Sequence, residues 1–128
     1  MRIANLSLVP LALLVGSPVV AQPAPTIAVQ MSNFKFSPTT IVLDHGRSYV
    51  LHLANVSSGG HDFTAPAFFA AANVAPADRH YIVEGVVEVP SGKAIDIHLT
   101  APAAGRYKLK CSHSLHKMFG MSGAIVVR

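Results

Sequence analysis

Cysteine is almost missing from this sequence: the 128 residues hold one, Cys111. A single thiol excludes an intramolecular disulfide framework, and in an oxidising compartment it needs deep burial, a partner chain or a metal to protect it. Charge is also scarce. Charged residues make up 12% of the chain, with six Asp/Glu against ten Lys/Arg. The basic residues are scattered along the sequence with no basic stripe, so nucleic acid is not an expected partner, whereas the mild positive balance suits an acidic partner surface. A Gly-x-Ser-x-Gly elbow, a His-Glu-x-x-His pair, a glycine-rich phosphate loop and an evident carboxylate pair are all absent, which leaves the common enzyme classes without their chemistry. There is no internal repeat, and no apolar run is long enough to anchor the chain across a bilayer.

What is there begins with a leader. Residues 1–21 carry one charge (Arg2), an apolar run from Leu8 to Val15 and a small-residue stop at Val19-Val20-Ala21. This order reads as a secretory signal peptide cleaved after Ala21, which places the protein in the periplasm or outside the cell. No twin-arginine pair is present, so export of the unfolded chain and metal loading outside the cytoplasm are expected. Cleavage would leave residues 22–128, or 107 residues with a formal charge of +3. That is one domain with one modest core, expected as a monomer.

After a short lead-in the dominant period is two. Ile27, Val29 and Met31 alternate with smaller or polar residues; Tyr49, Leu51 and Leu53 do the same, and so do Ile95, Ile97 and Leu99. Shorter candidate strands are Thr39–Leu43, Val86–Val89, Arg106–Ser112 and Gly123–Val127, separated by turn signals such as Pro90-Ser91-Gly92. Seven or eight strands at this spacing predict an all-β, antiparallel Greek-key sandwich. The alanine-rich stretch Pro66–Val74 predicts one short inserted helix, with Pro66 in its first turn and Thr64 as its cap. Phe34, Phe36 and Phe63 are expected in the core.

The last quarter carries the chemistry. In Arg106–Ser112 the residues Tyr107, Leu109 and Cys111 share one face and Arg106, Lys108, Lys110 and Ser112 the other, so the thiol points inward at the end of a core strand. The loop that follows holds His113, His116, Met118 and Met121 before a closing strand. A thiolate, an imidazole and a thioether can converge there from three directions. With a second imidazole they would make a trigonal Cys/His/His site with a weak axial Met, the arrangement for one-electron copper chemistry. His61 is the best candidate for the second imidazole, since it follows the flexible Ser57-Ser58-Gly59-Gly60 stretch and opens an apolar strand. His113 and Met118 are extra soft donors in the same loop. Cys111 and His113 are expected to leave the strand on opposite faces, and Met118 to sit too near His116. His113 is therefore expected at the loop surface, like His45, His52, His80 and His98 elsewhere.

The segments Gly59-Gly60-His61-Asp62-Phe63 and Tyr107 through Gly123, with Cys-x4-His-x4-Met before the closing strand, resemble the cupredoxins, small blue copper proteins of the plastocyanin and azurin type. The resemblance spans the whole chain after the leader. It implies one type 1 copper ion held by His61, Cys111 and His116, with Met121 axial and the Gly60 carbonyl nearby. It also implies that Asp62 ties the two ligand loops together by hydrogen bonds near Ser112. Four protein ligands leave no open position for substrate, so the expected activity is one-electron transfer between redox proteins and not catalysis. Leu115, Met118 and Phe119 would then form an apolar docking rim for small, transient contacts. The alternative is a periplasmic copper carrier or resistance factor that delivers the metal without redox cycling, a role the spare His113 and Met118 would serve.

Overall fold

Period-two alternation becomes inward and outward faces in the computed structural model, which describes residues 10–113 and 119–128. Among the described residues the strands are β1 (Thr26–Ser32), β2 (Lys35–Ser37), β3 (Thr40–Leu43), β4 (Ser48–Asn55), β5 (His61–Thr64), β6 (Asn73–Val74), β7 (Val86–Val89), β8 (Ala94–Thr100), β9 (Gly105–Lys110) and β10 (Ser122–Val127). They form two five-stranded sheets, ordered β2-β1-β4-β8-β6 and β3-β10-β9-β5-β7. Between the sheets lie the predicted inward residues: Val29 and Met31 of β1, Tyr49, Leu51 and Leu53 of β4, Ile97 and Leu99 of β8, and Leu109 of β9. The rings of Phe36, Phe63, Phe69, Phe68 and Tyr107 continue the core as a chain of edge and tilted contacts.

The sandwich and its Greek-key crossing connections are as expected, with two differences in detail. Ten strands replace seven or eight, largely because β2 and β6 are edge strands of three and two residues, too short to show a period in sequence. The pairing is also mixed: β1 runs parallel to β4, and β10 parallel to β3. After β1 the chain folds back as β2, crosses to the other sheet as β3 and returns as β4, and this excursion gives the crossover that a parallel pair requires.

The inserted helix α1 spans Pro66–Ala71, with Pro66 at its start and Phe68 and Phe69 buried. It ends before Val74 because Asn73 and Val74 pair instead with the edge of β8. Thr64 does not cap it; its hydroxyl donates to Asp62 Oδ1 at 2.7 Å, and Ala65 takes the cap position without a side-chain bond. Phe34 is also corrected. It turns the β1–β2 hairpin with φ 60° and is 42% exposed, its ring 4.8 Å from that of Phe119. Residues 10–23 are exposed and carry neither strand nor helix. No helix among the described residues is long and apolar enough to cross a membrane.

A 3-10 turn, Pro76–Tyr81, is pinned to β8 through Asp78, whose Oδ2 accepts from the His98 backbone N–H at 2.8 Å and lies 2.7 Å from His98 Nδ1. Burial alone would raise the Asp78 carboxyl, but the backbone and imidazole of His98 outweigh it and hold the group below its ordinary value near 3.8. Stability from a depressed carboxyl is present above the unfolded-state pKa and lost as pH falls through the folded one. Asp78→Asn is therefore expected to lower the urea midpoint at pH 6, with the gap from the wild type closing as pH falls below 3.8. A gap independent of pH would show that the charge contributes nothing.

Candidate metal centre

The site is built at one end of the sandwich, where β5 begins, β9 ends and β10 begins. Alternation along β9 carries Cys111 inward, and the residue is fully buried. Its backbone N–H donates to the Met121 carbonyl at 3.0 Å, extending the β9–β10 ladder by one residue. Cys111 and Met121 thus face each other across the strand ends, and Met121 is buried too. His61 opens β5, at 0% exposure. Among the described residues His61, Cys111 and Met121 therefore all lie in the interior at this end. His116, the fourth expected donor, and Met118 fall outside the described residues.

The segment before His61 is more firmly held than its serines and glycines suggest. Asn55, buried at the end of β4, donates from Nδ2 to the carbonyls of Gly59 at 2.8 Å and Val89 at 2.9 Å. Its Oδ1 accepts from the Ser57 N–H at 2.9 Å and from the Ser57 hydroxyl at 2.8 Å. One amide side chain thus fixes both the turn and its distance from β7, so the expected flexibility is corrected. The signal was in the sequence: Asn55 continues the inward series Tyr49, Leu51, Leu53, and a polar side chain at a core position has to find partners.

Asp62 joins the two ligand-bearing segments. Its backbone N–H points at Cys111 Sγ at 3.5 Å, and its Oδ1 accepts from the Ser112 N–H at 2.8 Å. The Ser112 hydroxyl donates to Oδ2, and Thr64 fills the other side of Oδ1. The tie expected between Asp62 and Ser112 is present. Because its acceptor sites are taken up in this way, Asp62 is a positioning residue for the β5 and β9 ends.

His113 differs from expectation. The chain bends at His113, just past the end of β9, and the Asp62, Cys111 and His113 donor atoms lie within 4.8 Å of one another. His61 is not part of that triple. His113 Nε2 sits 2.8 Å from Glu88 Oε1 and 3.7 Å from Asp62 Oδ2, with the side chain 36% exposed. Gly60 lies against it: a Cβ there would stand 3.4 Å from the His113 ring, in van der Waals contact. His113 is thus a half-buried member of the site's surroundings and not a bare loop-surface residue.

Burial pushes the Cys111 thiol above its ordinary value, and the charges of Asp62 and Glu88 add to the rise, against the pull of the Asp62 and His113 backbone N–H groups. A sulfur in this setting becomes a thiolate readily only with a cation beside it. A buried thiol with two N–H groups aimed at it, a buried thioether opposite and a buried imidazole on the adjoining strand are a soft donor set that fits copper. Asp62→Ala strips the acceptors from the Ser112 and Thr64 donors and is expected to cost about 3 kcal/mol in denaturant unfolding. It should also speed labelling of Cys111 by a thiol reagent in the metal-free protein; unchanged labelling would mean the tie does not close the site.

The cupredoxin-like domain family matches residues 5–127. Auracyanin B is similar in fold, with a TM-score of 0.61 and 18% identity over 86% of this chain and 93% of that one. So is auracyanin A, a "blue" copper protein of the green thermophilic photosynthetic bacterium Chloroflexus aurantiacus, with a TM-score of 0.57 and 21% identity over 82% of this chain and all of that one. A multicopper oxidase from Campylobacter jejuni gives a TM-score of 0.62 at 14% identity, covering 97% of this chain and 34% of the oxidase, so the chain spans about a third of that enzyme. No curated protein sequence matches the chain. At these identities the structural likeness is one of fold, and the family match extends over nearly the whole sequence: this chain belongs to the cupredoxin-like family.

Proposed function

We propose that the protein is an exported one-electron carrier with a single type 1 copper held by His61, Cys111, His116 and Met121. The observation that carries the reading is the burial of Cys111 beside the Asp62 amide, with Met121 across the strand ends and the two segments tied by Asp62 and Ser112. Copper would supply the Cu(I)/Cu(II) couple. The chain's own part is to hold the donors in place so that neither oxidation state requires them to move. The Asp62 carboxylate fixes the end of β9, Asn55 fixes the turn before His61, and the core behind both excludes water. In this reading the site is filled by protein donors, which favours electron transfer over catalysis.

The delivery role finds less support. One of its two motives was a spare imidazole at position 113, and His113 is held by Glu88 and Asp62. Export follows from the leader reading of residues 1–21, and the exposed, unstructured course of residues 10–23 supports it. Redox partners with acidic surfaces, met transiently by a monomer, complete the proposal.

Two measurements test it. The copper-loaded, oxidised protein is expected to be intensely blue, with a type 1 paramagnetic-resonance spectrum. Cys111→Ala should abolish both, whereas Met121→Leu should keep the colour and shift the potential. Colour that survives Cys111→Ala would overturn the assignment. The intact mass of protein recovered from the exported fraction is expected to correspond to a chain beginning at Gln22, and a full-length mass would overturn the leader.

A further inference from the structure

The fold gathers cations that the sequence leaves looking scattered. Arg106, Lys108 and Lys110 occupy alternate positions of β9, all exposed on its outward face. Alternate side chains on a strand repeat about every 6.7 Å, so the three form an even row. Opposite them on β10 stand Val126, Ala124 and Ser122, and beyond those on β3 stand Val42 and Thr40, none of them charged. On the other flank Lys110 pairs with Thr64 of β5, and the two acids further along that face are already engaged, Asp62 with Ser112 and Glu88 with His113. Among the described residues Arg106, Lys108 and Lys110 make no ion pair. Of the six acids, Asp44, Asp62, Asp78, Glu88 and Asp96 are each bound to a partner, which leaves Glu84.

The row borders a groove of about 470 Å³ whose other walls include Pro66 and Ala67 of α1 and Tyr107. Three unneutralised cations beside an apolar wall demand a ligand with negative charge and apolar side chains together. β9 pairs with β10 along its whole length and with β5 at Lys110 alone, and Pro66 and Ala67 of α1 stand beside the rest of that edge. The three cations project from the sheet, so they recognise a ligand through their side chains. A flat anionic bilayer could meet the lysines but could not follow the groove down to Pro66 and Tyr107, whereas an extended chain with acids at alternate positions repeats at the same spacing as the row.

We propose that the groove along β9 is a docking site for an extended acidic segment of a partner protein, with carboxylates at alternate positions on Arg106, Lys108 and Lys110 and apolar side chains against Pro66, Ala67 and Tyr107. Docking does not depend on the copper reading, because none of these residues is among the metal donors and the site is complete without an ion.

The test uses the purified exported protein and a fluorescein-labelled peptide of four Glu-Val repeats, with a Gln-Val peptide as control and phosphatidylglycerol vesicles as competing surface. The Glu-Val peptide is expected to bind with an affinity that falls as salt is added and to shift the amide resonances of Ala67 and Tyr107. Reversing all three charges (R106E, K108E, K110E) is expected to weaken binding at least about tenfold, each single reversal less, and K35E with K93E, exposed lysines elsewhere, not at all. A folded triple variant that binds like the wild type would overturn the proposal. So would equal binding of the Gln-Val peptide, absence of any binding, or vesicle binding that depends on the row while the peptide does not bind. If the triple variant unfolds, the single reversals decide by the same criteria.

Discussion

The carboxylate of Asp62 joins chain segments 50 residues apart, accepting from the backbone and the side chain of Ser112 while its own amide faces the Cys111 sulfur. Everything at this end of the molecule depends on that junction. Without it β5 and β9 pair only at Thr64–Lys110, at the opposite end of β5 from His61, and His61 and Cys111 would be free to drift with their own strands. The carboxylate is buried, so the bonds it accepts form in a low-dielectric setting, where they are strong when made and expensive when broken. A charge placed there also bears on its neighbours, and it is one reason the Cys111 thiol is pushed upward.

The sandwich supplies the rest of the rigidity. Strands packed face to face on a close-packed core cannot adjust one residue at a time, and His61, Cys111 and Met121 are each set at the limit of such a strand. Asn55 plays the same part for the turn before His61 as Asp62 does for the end of β9. Two polar side chains, both buried and both fully engaged, thus fix two of the segments that reach the site. The molecule presents a different character along its side, where β9 turns outward three cations that make no ion pair among the described residues, while its inward residues lead to the sulfur. One strand therefore serves both the interior site and an outer face.

Much of this was readable from residue order because alternation is a strong signal. It placed Leu109 and Cys111 inside and the β9 cations outside, and it set Val86–Val89 at its observed limits. The cluster of soft donors after β9 pointed to a metal, and the resemblance to the cupredoxins implied the tie between Asp62 and Ser112. What escaped was set by tertiary pairing. β2 and β6 are too short to carry a period and exist because a neighbouring strand offers them an edge. The parallel pairs depend on where the chain crosses between sheets. Phe34 reads as core by composition, yet the hairpin it turns leaves it outside. His113 lies past the end of β9, at a bend, where the strand period no longer says which way a side chain points. Alternation put Arg106, Lys108 and Lys110 on one face, but that uncharged residues of β10 and β5 stand beside them is set by strand pairing.

In the proposed reading, strand ends held by Asp62 and Asn55 would keep one sulfur and two imidazoles around a copper ion whatever its charge. X-ray absorption at the copper edge, recorded on the oxidised and the reduced protein, tests this most directly. The account predicts one thiolate sulfur and two nitrogens nearest the metal in both states, at almost unchanged distances. Absence of the sulfur, or a change in the number of near neighbours on reduction, would contradict it.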